Sequence, residues 1–207
     1  MRLNPEFTKL SVNDATRLHL LAAEAIYQAF LDEGDFIEMG VYRGGSALWM
    51  AHALMQSKSR RTLHLLDSWE GLPEVAEQDQ GALLAGGYFN NATEGQVRAL
   101  LDSLQIGQCC RTYKGWFKDT LHAIPGPFAL AHVDGDLYES CKVCLDHVLP
   151  RMTLHGSIIV DDYGTPENRR FPGVQKAVHE SIERTEWIVC PLGGERDQSV
   201  KLVRSQR

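Results

Sequence analysis

Apolar positions along this chain recur with two periods, and the changes between them mark the elements. Residues 14–30 place Leu18, Leu21 and Ala25, and beside them Leu20, Ile26 and Phe30, near helical spacing, with Asn13 or Asp14 available to cap the start. Gly34 breaks this run. FIEM (36–39) then predicts a short strand. GVYRGGSALWMAHALMQ (40–56) predicts a glycine turn running into a helix whose Trp49 and Met50 read as core, and TLHLLD (62–67) a second strand. Further strands are predicted over 111–115, 128–134 and 156–162, and helices over 94–104, 117–124, 137–149 and 172–183; Pro125 and Pro150 stop two of these helices. EWIVCPL and SVKLVR, separated by GGERDQ, predict a terminal antiparallel pair.

Strand and helix alternate without an internal repeat, which predicts an α/β fold with an open, mostly parallel sheet and helices on both faces. No linker is visible, so residues 1–207 are expected to form a single domain. Residues 71–91, GLPEVAEQDQGALLAGGYFNN, have mixed periodicity and many Gly, Asn and Gln residues. They predict a long loop or lid carrying one short helix, and loops of this length are usually functional or disordered.

Composition narrows the partners. The net charge is −6 without a basic run, so no nucleic-acid partner is expected. No apolar run reaches the ~18 residues of a membrane span, and MRLNPEFTKL lacks a signal-peptide stretch, so no membrane partner and a cytoplasmic location are expected. The five cysteines lack a framework spacing; Cys141-Lys-Val-Cys144 has no second ligand pair for zinc and reads as two reduced helix cysteines.

Candidate chemistry gathers at the strand ends. The first strand ends in Glu38, the second in Asp67, the fourth in Asp134 and the fifth in Asp161-Asp162. In parallel sheets that edge is where ligands bind. Gly40-Val-Tyr-Arg-Gly44-Gly45-Ser46 follows the first strand, lets backbone approach a ligand, and opens a helix whose free N–H groups suit a carboxylate. This is not G-x-G-x-x-G, but Asp67 stands where an acid can accept ribose hydroxyls. One helix separates Asp134 from Asp161-Asp162, which fits a crossover between neighbouring strands and brings three carboxylates together. Crowded carboxylates repel, and a hard cation such as Mg²⁺ relieves this. Asp136 reads as a turn residue rather than a ligand. His132 is expected to point away from Asp134 by strand alternation and to serve packing. His122, His147 and His179 have no visible partner.

At these residues DSWEGLP (67–73), KGWFKDTL (114–121), HVDGDLYES (132–140) and VDDYG (160–164), followed by GVQKAVHE, resemble the macrocin O-methyltransferase family over about residues 34–183. The resemblance implies a Rossmann-like class I methyltransferase fold, S-adenosylmethionine as donor, Mg²⁺ or another divalent cation, and a sugar hydroxyl of an antibiotic or similar natural product as acceptor. Carried over, Glu38 and Gly40 match the positions that hold the donor's methionine part, Asp67 its ribose, and Gly115, Trp116 and Phe117 its adenine. Tyr42, Gly44, Ser46, Ser68 and Asp134 complete the implied donor site. Asp134, Asp161 and Asp162 match the metal ligands, and Asp134 also the general base. Trp69 stands where Phe is usual, the N-terminal part is shorter than in many members, and the tail lacks an aromatic ending. Family members often assemble, which leaves room for a homodimer.

The expected reaction is in-line methyl transfer to an acceptor oxygen, with the 74–91 lid excluding water and Tyr88 and Phe89 contacting the acceptor. Two other readings are a metal-dependent methyltransferase of catechols or other phenols, and an NAD-dependent oxidoreductase. The second has no use for three clustered carboxylates. A binding protein without catalysis would tolerate loss of Asp134.

Overall fold

The computed structural model describes residues 10–31, 33–58, 60–82, 84, 86–164, 170–193 and 198–205. The N-terminal stretch to residue 9 and most of the GGERDQ turn lie outside the described residues. Seven strands form one sheet in the order β3-β2-β1-β4-β5-β7-β6. They are β1 (Asp35–Met39), β2 (Leu63–Asp67), β3 (Cys110–Lys114), β4 (Phe128–Val133), β5 (Met152–Val160), β6 (Trp187–Gly193) and β7 (Ser199–Arg204). Strands β1 to β5 pair in parallel, and β7 runs antiparallel to both β5 and β6.

The helices are α1 (Ala15–Leu31), α2 (Gly45–Gln56), α3 (Glu94–Ser103), α4 (Phe117–Thr120), α5 (Tyr138–Val148) and α6 (Pro172–Ile182). Every predicted element is present, with ends shifted by a few residues. The largest shift is in β5, which starts at Met152 because an irregular register against β4 absorbs residues 153–156. Helix α1 buries one stripe, Leu18, Leu21, Ala25 and Ala29, while Ile26 and Phe30 face outward. Two apolar clusters result, one on each side of the sheet: Val174, Ala177 and Val178 of α6 share one with Cys141 and Cys144 of α5, and α1 and α2 share the other. Both C-x-x-C cysteines are free and fully buried, as expected of core helix residues.

The strand order reverses between β1 and β4, the switch point where α/β sheets open a ligand crevice. Gly40 leaves β1 at φ +100°, and a Cβ there would collide with the Asp134 carbonyl oxygen at the end of β4. Only glycine lets these two strand ends close on each other. No described helix is long and apolar enough to cross a membrane.

Candidate active site

The crevice at the switch point is a cavity walled by the carboxyl ends of the strands. The glycine turn supplies its floor. Gly44 takes φ +84° and offers no side-chain cap to α2, so the first N–H groups of that helix remain available to an anion. Asp67 fixes the turn. Its Oδ2 accepts from the backbone N–H of Val41 and Tyr42 at 2.8 Å each, and its Oδ1 accepts from Trp69 N–H at 2.7 Å. Trp69 in turn donates its ring N–H to the Tyr42 carbonyl at 3.0 Å.

Among the residues expected to bind the donor, Gly40, Tyr42, Ser46, Asp67, Ser68, Gly115, Trp116, Phe117 and Asp134 stand on the cavity wall. Glu38 and Gly44 do not. Glu38 is fully buried behind the wall, and its Oε1 lies 2.9 Å from His132 Nδ1. Its Oε2 is buried without a hydrogen-bond partner among the described residues. Gly44 sits against Val97 and Leu100 of α3. Phe89 reaches the wall; Tyr88 does not, and is 55% exposed.

The acids converge, in company the sequence did not announce. Asp134, Asp136 and Asp162 each offer a carboxylate oxygen within 4.8 Å of the others. Asp134 also forms such a group with His132 and Asp161. The packing role expected of His132 is therefore corrected. Residues 132 and 134 are two apart, so strand alternation puts both side chains on the same face. His132 pairs in register with Glu38 across β1 and β4 and bridges it to Asp161, with Nε2 3.0 Å from Asp161 Oδ2. Asp136 is the turn residue expected, and it also joins an acid group with Asp134 and Asp162. Its φ of +59° bends the turn back, and its carboxyl shares a side-chain hydrogen bond with Asp162. His147 and His179 also have partners, the Ile124 carbonyl at 2.9 Å and the Tyr163 hydroxyl at 2.8 Å.

Two N-terminal residues join the cluster. Asn13 donates its amide to Asp161 Oδ2 at 2.6 Å, and Arg17 Nη1 donates to Asp162 Oδ1 at 3.0 Å. Ser199 of β7 donates to Asp161 Oδ1. No local pattern marks these contacts, which join residues at least 38 positions apart.

Charge explains the titration of the group. Burial, then Asp161 and Asp162, push the Asp134 carboxyl well above its usual range. Burial, Asp162 and Asp134 do the same to Asp136. Burial also works upward on Asp161, but His132 and Arg17 outweigh it and hold its pKa at about 2. Burial opposes charge on His132, yet Asp161 and Glu38 raise its pKa well above the ordinary imidazole value. Five acids, Glu38, Asp134, Asp136, Asp161 and Asp162, thus face two cations, His132 and Arg17. A surplus of clustered carboxylate is relieved by protons or by a bound cation. The accessible ligands are all oxygen, the chemistry of a hard ion such as Mg²⁺. Asp161 has three protein donors and keeps one acceptor position on Oδ1.

Comparison with known proteins places this arrangement. A 4'-O-methyltransferase of a dimethoxyrhamnosyl-tetracenomycin from Streptomyces olivaceus is 37% identical over 139 residues, covering 63% of this chain and 53% of that protein. Demethyldecarbamoylnovobiocin O-methyltransferase from Streptomyces niveus is 36% identical over 138 residues, with coverage of 63% and 53%. The chain thus spans about half the length of these curated relatives. The solved structure of the O-methyltransferase NovP superposes with a TM-score of 0.75 at 27% identity, over 92% of this chain and 80% of that one. The fold is accordingly that of the class I O-methyltransferases, with an antiparallel pair closing the sheet. The Macrocin-O-methyltransferase (TylF) family profile matches residues 10–188, and the chain belongs to that family.

Proposed function

We propose that this chain is an S-adenosylmethionine-dependent O-methyltransferase that works with a divalent cation, Mg²⁺ by the chemistry of its ligands. Its acceptor is a hydroxyl of a small molecule, a sugar of a glycosylated natural product. Residues 1–207 are read as one methyltransferase domain with a lid at 71–91. The observation that carries the proposal is the juxtaposition of Gly40 and Asp134: a glycine turn suited to the donor and a carboxylate cluster suited to a cation meet across one crevice. One named relative acts on a rhamnosyl-bearing tetracenomycin, which favours a sugar over a catechol.

The turn at Gly40 and the open N–H groups of α2 receive the donor's carboxylate. Asp67 Oδ1 accepts one N–H and has a lone pair left for a ribose hydroxyl. Trp116 and Phe117 wall the adenine side. Asp134 and Asp162 would hold the cation, and Asp161, grouped with Asp134 and His132, would offer it the remaining acceptor position. The cation supplies a Lewis acid that makes an acceptor hydroxyl easier to deprotonate. Asp134 takes the hydroxyl proton on its carboxylate as the methyl passes from sulfonium sulfur to acceptor oxygen. Asp136, also held above the usual carboxylate range, is the second acid within reach.

The test is conversion of S-adenosylmethionine to S-adenosylhomocysteine in the presence of a panel of rhamnosides, with catechols as controls. Turnover that needs a glycoside and stops with a chelator is expected. Turnover with catechols alone would move the assignment to phenols, and no turnover with either would overturn it.

A further inference from the structure

The lid carries a buried acid that the site described above does not use. Asp79 lies in a single 3-10 turn, Glu77–Asp79, in the middle of the 71–91 segment, and is 1% exposed. Its carboxylate accepts the Tyr138 N–H, with Oδ1 at 2.9 Å and Oδ2 at 3.2 Å. Tyr138 is the first residue of α5, and Leu137 before it gives that helix no side-chain cap. Asp79 therefore caps α5 from a segment 59 positions away in sequence. Gly173 in the first turn of α6 makes room for it, since a Cβ there would overlap Asp79 Oδ1 and lie 2.8 Å from Tyr138 Cβ.

The neck of the loop is pinned separately. Leu72 N–H donates to the Tyr88 carbonyl at 2.8 Å and Gly87 N–H to the Leu72 carbonyl at 2.9 Å. With neck and middle both fixed, Leu72, Leu84 and Phe89 line the cavity that Asp134 and Asp136 also line.

We propose that Asp79 is a positioning residue: it clamps the lid onto the start of α5 and the Gly173 turn, and so sets the distance between the lid's apolar wall and the acids of the 134–136 turn. The lid and the 134–136 turn line one cavity with Gly40, Asp67 and Trp116, the residues given to the donor. This rests on the proposed function only in naming what the cavity holds.

Amide hydrogen exchange, read beside calorimetric binding of S-adenosylmethionine, tests it on the wild type and on Asp79→Ala, Asp79→Asn and Gly173→Ala. In the alanine variants exchange should quicken at least tenfold over residues 72–88 and at the start of α5, with β4 peptides unchanged. Donor affinity should weaken severalfold. Asp79→Asn, which keeps one acceptor oxygen, should fall between. Unchanged exchange over 72–88 in Asp79→Ala and Gly173→Ala overturns the proposal. So does faster exchange spread evenly through the strands of Asp79→Asn, which would mark a general structural role. If the wild type binds no S-adenosylmethionine while the loop still responds as described, the proposed function fails and the clamp stands.

Discussion

Asp134 belongs to both acid groups at the crevice, and the proposed function assigns it both the cation and the acceptor proton. Asp134→Asn keeps the shape but neither accepts a proton nor ligates with full charge. Steady-state kinetics should show kcat lower by about 10²–10⁴ fold, the usual worth of a positioned base. Asp136→Asn should cost less; an equal or larger loss would pass the role of base to Asp136. His132 makes a stability prediction. Replacing it with Ala leaves Glu38 and Asp161 buried without their shared counter-charge, and removing one partner of a buried ion pair typically costs about 3–5 kcal/mol. Denaturant unfolding checks this, and a cost below about 1 kcal/mol would show that the three groups do not act as an ionic bridge. At this scale the sequence was partly legible. Residue type and strand-end position drew attention to Asp134, Asp161 and Asp162, which the structure gathers at one sheet edge in two overlapping groups. The roles of Asp136 and His132 were not visible, because one depends on a positive-φ turn and the other on register against Glu38. Asn13 and Arg17 carried no local signal, since their partners lie 145 or more positions away.

At the scale of elements, apolar periodicity was sufficient to find each helix and strand, because each buries one face against the sheet. It said less about which elements touch. Helix α1 is tied to the neighbouring strands β5 and β7 by Glu24, whose carboxylate takes Lys201 of β7 at 2.6 Å, Ser157 of β5 at 2.6 Å and Gln28 at 3.0 Å. Burial works upward on Glu24, but those three partners prevail and lower its pKa below the ordinary value of 4.5. An acid whose pKa falls on folding adds stability that is present above its unfolded value and lost as the pH drops through its folded value. Glu24→Gln should therefore lower the melting temperature at pH 7, with the gap to wild type closing as the pH is taken below about 4. A gap independent of pH would show that the contact is steric. Helix α3 offers a control, since none of its residues lines the cavity. Thr93 and Gln96 form a reciprocal capping box at its start, and Thr93→Ala should cost about 1 kcal/mol without changing donor affinity.

Over the whole molecule, function follows from strand order. Placing β1 beside β4 brings the glycine turn and the acid turn to one point, and the collision a Gly40 side chain would meet shows how little room separates them. Gly40→Ala should therefore disturb folding and donor binding together, with strain of about 1–3 kcal/mol from the positive φ before the clash is counted. The adjacency of β4 and β5 was legible from the single helix between them, whereas the rest of the strand order, the lid's attachment through Asp79 and the closing contact of Ser199 depended on packing that no spacing encodes.

In the proposed function, donor and cation share this crevice through Asp134. Calorimetric titration of S-adenosylmethionine, with and without Mg²⁺, on wild type and on Asp134→Asn tests it most directly. Saturable donor binding to the wild type is expected, with a Mg²⁺ signal that Asp134→Asn weakens by about tenfold or more, roughly the 1.4 kcal/mol that a tenfold change represents. Absence of donor binding under both conditions, or a Mg²⁺ signal unaltered by the substitution, would contradict it.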